Sequence, residues 1–192
     1  MRTVDLSDAE LTVYSAEHLM HELQYFRYTA GELAPLDKPS PMVTVLLESF
    51  LIHLRNLIDF LHTPRVKEED DVIASDFCPG WSETMSSTLK AAKERANKEL
   101  SHLTLERKSA HDPSKPWDVA GLFYEVSDVA KRFAAKASPT KLSPEVPKWL
   151  GVNYGTITVA VFGNMTTSSN TTSTMTVTSF GGAPPSNNTT HP

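Results

Sequence analysis

The sequence predicts an all-α protein: an antiparallel bundle of about four long helices, followed by an uncharged tail. Three observations carry this expectation. Apolar residues recur at i, i+3, i+4 and i+7 over several long stretches, most clearly Val43, Leu46, Leu47, Phe50, Leu54, Leu57, Ile58 and Leu61. Prolines and capping residues fall between these stretches, where helices start and stop. None of the 23 acidic and 18 basic side chains falls after Leu150, which divides a helical domain, 1–150, from a tail, 151–192.

The first helix is announced by Ser7-Asp8-Ala9-Glu10, a capping box in which Ser covers a free N–H and Glu reaches back. It should run to about residue 30 or 34, with Leu11, Tyr14, Leu19, Leu23 and Phe26 facing inward. Gly31, Pro35 and Lys38-Pro39-Ser40-Pro41 then make a linker. Ser40-Pro41 pairs a cap with a proline at the first helical position, so the second helix begins there and ends near His62, before Thr63-Pro64. An acidic, irregular link follows, from Lys67-Glu68-Glu69-Asp70-Asp71 to Cys78-Pro79-Gly80-Trp81. Ser82 caps a third helix over 82–107, with Met85, Leu89, Ala92, Ala96, Leu100 and Leu103 as its narrower stripe. Pro113 and Pro116 break the chain. A fourth helix over 117–136 turns Val119, Leu122, Phe123, Val126, Val129, Ala130 and Phe133 inward. The run 138–147 reads as an extended, proline-rich connector.

The tail holds 11 Thr and 5 Ser among its last 42 positions. Two alternating, β-branched stretches, 156–162 and 174–180, suggest a β-hairpin with a long polar loop. The alternative is a disordered Thr/Ser tail. A lone hairpin is marginal in water and would need a partner surface or a second copy of the chain.

Composition narrows the function classes. A body of about 150 residues buries roughly 68–70% of its unfolded surface, so no staple is required for stability. The single cysteine, Cys78, excludes an internal disulfide framework and a Cys-rich zinc site. A net charge of −5 argues against a protein that holds nucleic acid by bulk electrostatics. The N-terminus, Met-Arg-Thr-Val-Asp-Leu-Ser-Asp, has no apolar core of a secretory signal. The most apolar stretch, 42–61, carries Glu48, His53, Arg55 and Asp59, each expensive in lipid. A cytoplasmic protein without a membrane partner is therefore expected. There is no phosphate-cradling glycine loop, HExxH, GxSxG or dinucleotide fingerprint, so no cofactor is expected.

Two stripes carry candidate chemistry. Arg55, Asp59 and His62 are spaced i, i+4, i+7, and so are Arg95, Glu99 and His102, with Glu106 beyond. Seven residues rotate a helix by about 700° and advance it by about 10.5 Å, which leaves Arg and His on nearly one face. As structure, such a stripe is an ion-pair ladder. As chemistry, a guanidinium fork can hold a phosphate, an imidazole can move protons near neutrality, and the carboxylate between them can orient either. Such a group could cleave a phosphodiester with the RNA's own 2′-hydroxyl as nucleophile and no metal.

The run Arg55-Asn56-Leu57-Ile58-Asp59-Phe60-Leu61-His62 resembles the HEPN motif: Arg, a polar residue, a spacer, then His. HEPN proteins are compact α-helical bundles, often dimeric, and many are metal-independent ribonucleases of toxin–antitoxin and phage-defence systems. The resemblance implies Arg55 on the scissile phosphate, His62 in acid–base work, and Asn56 as the polar neighbour. It also implies a homo-oligomer, RNA as substrate, and a partner or antitoxin protein. It rests on eight residues plus the helical pattern of 7–136. Arg95 to His102 shares the spacing but has Ala96 in the polar slot.

The chain is also similar to a group of uncharacterised bacterial helical proteins, through 55–60, Asp76-Phe77, Trp81, 97–104 and Arg107. That similarity implies that His102, Thr104 and Arg107 pack near Arg55 and Asp59 as one polar cluster.

Other candidates carry less. His18 and His21, with Glu17 and Glu22, could hold a metal on one helix, but no further ligands match the spacing, so a solvated face is expected. Cys78 lacks a base and reads as a buried or semi-buried thiol. Two function classes remain: a metal-independent endoribonuclease centred on Arg55 and His62, or a non-catalytic structural or regulatory interaction protein in which the stripes are structural and the tail supplies a strand for assembly.

Overall fold

The computed structural model describes residues 6–36, 38, 40–64, 68, 70–99 and 116–151. Among them the fold is all-α. The first rod begins at α1 (Asp8–Tyr14), passes through a π-helical turn (Ser15–Leu19) and continues as α2 (Met20–Leu33). Its start is the capping box: Glu10 N–H donates to Ser7 Oγ at 3.3 Å, and Ser7 N–H donates to Glu10 Oε2 at 2.8 Å. The carboxylate, hydrogen-bonded by the Ser7 hydroxyl and backbone, titrates below its ordinary 4.5.

The π turn has a cause in the sequence. Tyr14 and Leu19 are five residues apart, one more than an α-helix allows on a single face. The wider turn absorbs the extra residue, so Leu11 and Leu19 both stay buried. Gly31 does not stop the rod, which ends at Leu33.

Helix α3 (Pro41–His62) starts where Ser40 Oγ accepts Val43 N–H at 3.2 Å. It packs against α2, α4 (Ala74–Phe77), α5 (Ser87–Glu99) and α6 (Val119–Lys136). By length and composition alone α3 could cross a membrane. Here its Phe50, Leu54, Leu57, Ile58 and Leu61 are buried within the protein. Two aromatic groups organise the interior. Phe26 stacks on Phe50 at 4.9 Å and meets Phe123 at 5.3 Å, joining α2, α3 and α6. Phe60, Phe77 and Trp81 surround Phe133 at 5.2–6.0 Å, joining α3, α4 and α6.

Three sequence expectations need correction. The third helix starts at Ser87, not after Ser82; Ser86 Oγ caps it by accepting Leu89 N–H at 3.0 Å. The intervening segment is held by tertiary bonds instead. Trp81 Nε1–H donates to Leu61 O at 2.7 Å, and Glu83 pairs with Arg132 of α6. The acidic link contains the short helix α4, whose first turn is closed by Asp76 accepting Ile73 N–H at 2.9 Å. The connector 138–147 is not extended throughout: it turns into α7 (Glu145–Gly151). Pro147 sits in the first turn of α7, where its missing N–H has no intrahelical partner to lose. Buried Ser15, in the π turn, accepts Ser143 N–H at 2.9 Å and so holds α7 against the first rod.

The tail hairpin, 156–180, and residues His102, Thr104 and Arg107 lie outside the described residues.

Candidate functional site

A half-open cleft of about 650 Å³ runs along α3. Arg55, Asn56 and Asp59 supply one wall from α3. Tyr14, His18 and Glu22 supply another from the first rod. Glu68, Asp70 and Asp71 close it from the link after α3, and Asn97 reaches in from α5. The structure thus brings three of the four principal candidates, Arg55, Asn56 and Asp59, into one cavity. It adds Asn97, part of the run that carries the second resemblance.

His62 is elsewhere. Its Nδ1 lies 3.2 Å from the backbone oxygen of Glu83. A carbonyl can only accept, so Nδ1 carries the proton. The other nitrogen, Nε2, is buried with no hydrogen-bond partner among the described residues. The reason is angular. Taking Arg55 as 0° at about 100° per residue, Asp59 lies at about 40°, Asn56 at about 100° and Phe60 at about 140°. These residues line the cleft. His62, at about −20°, is just outside that sector and meets the segment before α5 instead. The spacing places Arg55 and His62 near one face, but the cavity opens on the other side of Arg55.

Among the described residues the cleft lining is acidic: Glu22, Asp59, Glu68, Asp70 and Asp71 stand against one guanidinium, Arg55. Lys93 of α5 pairs with Asp59 and removes part of that excess. The field is visible at Tyr14: burial, reinforced by the Glu22 and Asp71 carboxylates, pushes its phenol above the ordinary 10.0. A sugar-phosphate strand entering here would meet like charge, whereas a cationic group would be attracted.

In the second stripe the described residues, Arg95 and Glu99, are built into the scaffold. Arg95 Nε–H is shared between both oxygens of Glu99, at 2.9 and 3.0 Å, and the guanidinium lies 3.9 Å over the Trp117 ring. The Glu99 side chain is only 7% exposed, so this pair fastens α5 to the start of α6. Trp81 and Trp117 are core residues, and the half-buried Cys78 thiol meets Lys136 O at 3.5 Å.

Tyr14, His18, Glu22 and Asn97 escaped the sequence reading as partners of Arg55. They come from the first rod (α1, the π turn and α2) and from α5, and only tertiary packing brings them to Arg55. The irregular five-residue step at Tyr14–Leu19 was the one local signal that the first rod is distorted there. No protein-family model, curated protein or solved structure matches the chain.

Proposed function

We propose that this chain is a non-catalytic regulatory protein, an antiparallel HEPN-like bundle whose cleft binds a basic segment of a partner protein. One observation carries the reading: His62 is not among the residues that line the cleft with Arg55, Asn56 and Asp59; its Nδ1 is bonded to Glu83 O and its Nε2 is buried without a hydrogen-bond partner among the described residues. The imidazole that the resemblance assigns to acid–base work, His62, is outside the lining of the Arg55 site, and the charge of the described lining residues favours a cation. In this reading the protein is cytoplasmic and self-associates. The exposed α3 residues Met42, Val45 and Ile52 support an apolar contact between copies. The strand-prone stretches of 151–192 would extend that assembly.

The test is fluorescence anisotropy with a labelled octalysine peptide and a labelled single-stranded RNA, at low and at physiological salt. The peptide should bind and RNA should not. Asp70→Asn with Asp71→Asn should weaken the peptide by on the order of tenfold, since several exposed charge contacts of about 0.2–1 kcal/mol each are involved. Arg55→Ala should tighten it. RNA cleavage that Arg55→Ala or His62→Ala abolishes would refute the reading.

The second reading is a metal-independent endoribonuclease of a toxin or defence system. It is favoured by Arg55 and Asn56 lining the same open cavity. His18 is the imidazole among the lining residues, so under this reading His18→Ala should abolish cleavage and His62→Ala should act mainly through stability.

A further inference from the structure

A second polar cluster lies beside the cleft and shares one residue with it. His21 and Glu22 come from α2, and His53 comes from α3. One ligand atom from each lies within 4.8 Å of the others. His53 Nδ1 is 2.8 Å from Glu22 Oε2. The His21 and His53 rings are 5.7 Å apart, edge to face, and Tyr25 packs against both, at 4.5 and 5.6 Å.

We propose that His21, Glu22 and His53 bind a divalent transition-metal ion of the zinc class. Two imidazoles and one carboxylate suit a borderline ion; calcium and magnesium prefer all-oxygen shells, and copper(I) prefers sulfur. Bonds of about 2.1 Å in a tetrahedron place ligand atoms about 3.4 Å apart. The three atoms therefore need to close by at most about 1.4 Å, within the reach of side-chain rotation. The ion takes the place of the proton between His53 and Glu22. His21 is exposed, so the fourth position opens to water.

The scaffold is fixed where the site needs it. The packing between α2 and α3 includes the Phe26–Phe50 stack, so the two helices cannot slide without opening the core. The π turn lies just N-terminal to His21 and Glu22. It inserts one residue immediately before α2, turning everything after it by about 100° relative to α1. Such turns are rare and recur at functional sites. Sequence spacing alone pointed to His18 with His21. The structure separates them, with His18 in the cleft and His21 paired across helices.

The metal site shares Glu22 with the cleft but does not rest on what the cleft binds. The tag-free full chain, stripped with EDTA and dialysed, would be titrated with Co²⁺ by visible absorption and with Zn²⁺ by calorimetry. One equivalent should bind saturably, with cobalt bands of a low-coordinate nitrogen–oxygen site. His21→Ala, His53→Ala and Glu22→Gln should each weaken binding at least about tenfold, and His191→Ala should not. His21 is exposed, so His21→Ala keeps the test valid if His53→Ala perturbs the fold. No saturable uptake, or uptake unchanged by His21→Ala and Glu22→Gln, would overturn the proposal.

Discussion

Trp81 offers a quantitative test of how the end of α3 is held. The turn Cys78-Pro79-Gly80-Trp81 is closed by Trp81 N–H donating to Cys78 O at 2.9 Å, with Gly80 at φ +80°. Proline at the second position and a positive-φ glycine at the third are what a type II turn requires. The turn delivers the indole inward, where Nε1–H donates to Leu61 O at 2.7 Å. Leu61 O is one of the last carbonyls of α3, which have no intrahelical donor. Trp81→Phe keeps an edge-on ring against Phe133 but removes that donor. An orphaned buried carbonyl costs about 1–3 kcal/mol. The smaller ring forfeits on the order of 40 Å² of burial, about 1 kcal/mol at 25 cal/mol per Å². The expected loss is therefore about 2–4 kcal/mol, or a melting temperature lower by about 4–16 °C for a domain of this size. Thermal unfolding by circular dichroism and calorimetry reads both values. A loss below about 0.5 kcal/mol would refute the claim that the indole caps α3.

Three further outcomes follow from other parts of the molecule. Phe50→Ala opens the junction of α2, α3 and α6 and should cost about 3–5 kcal/mol by denaturant unfolding. Glu10 titrates below its ordinary value because of Ser7, so its contribution is full above about pH 4.5 and is lost as pH falls through the lowered value; amide exchange in the first turn of α1 should quicken there, and Ser7→Ala should quicken it already at neutral pH. Tyr14 titrates above 10.0, so a 295 nm titration should show one late phenol that Tyr14→Phe removes. Its contribution to stability is present below pH 10 and lost as pH rises through the raised value. An octaarginine peptide in the cleft, which keeps its charge above pH 10, should move that phenol back toward its ordinary value.

Local signals in the sequence were sufficient for much of the scaffold. The Ser7 and Ser40 caps and the apolar stripe of α3 act within one helix, and each appears where its residues dictate. The start of α5 was misplaced because Ser82 looks like a cap, while Trp81 and Glu83 are bonded across the fold and hold that backbone out of the helix. The sequence does not announce α7 because Pro139, Pro144 and Pro147 suggest extension, although Pro147 falls in a first turn where proline is harmless. At the site, Arg55, Asn56 and Asp59 were legible because they share one helix. The side of Arg55 on which the cavity opens was not, since it depends on where the first rod and the 68–71 link pack. A deviation of about 20° over two turns is enough to leave His62 outside.

The claim that His62 is a packing residue can be measured directly. A long-range ¹⁵N–¹H correlation spectrum of the imidazoles, assigned with His62→Gln, reports the tautomer of each ring. The account predicts the Nδ1–H form for His62, bonded to Glu83 O, with a signal unmoved by octalysine or RNA. An Nε2–H form whose signal shifts on adding RNA would place this imidazole in the cleft and contradict the non-catalytic reading.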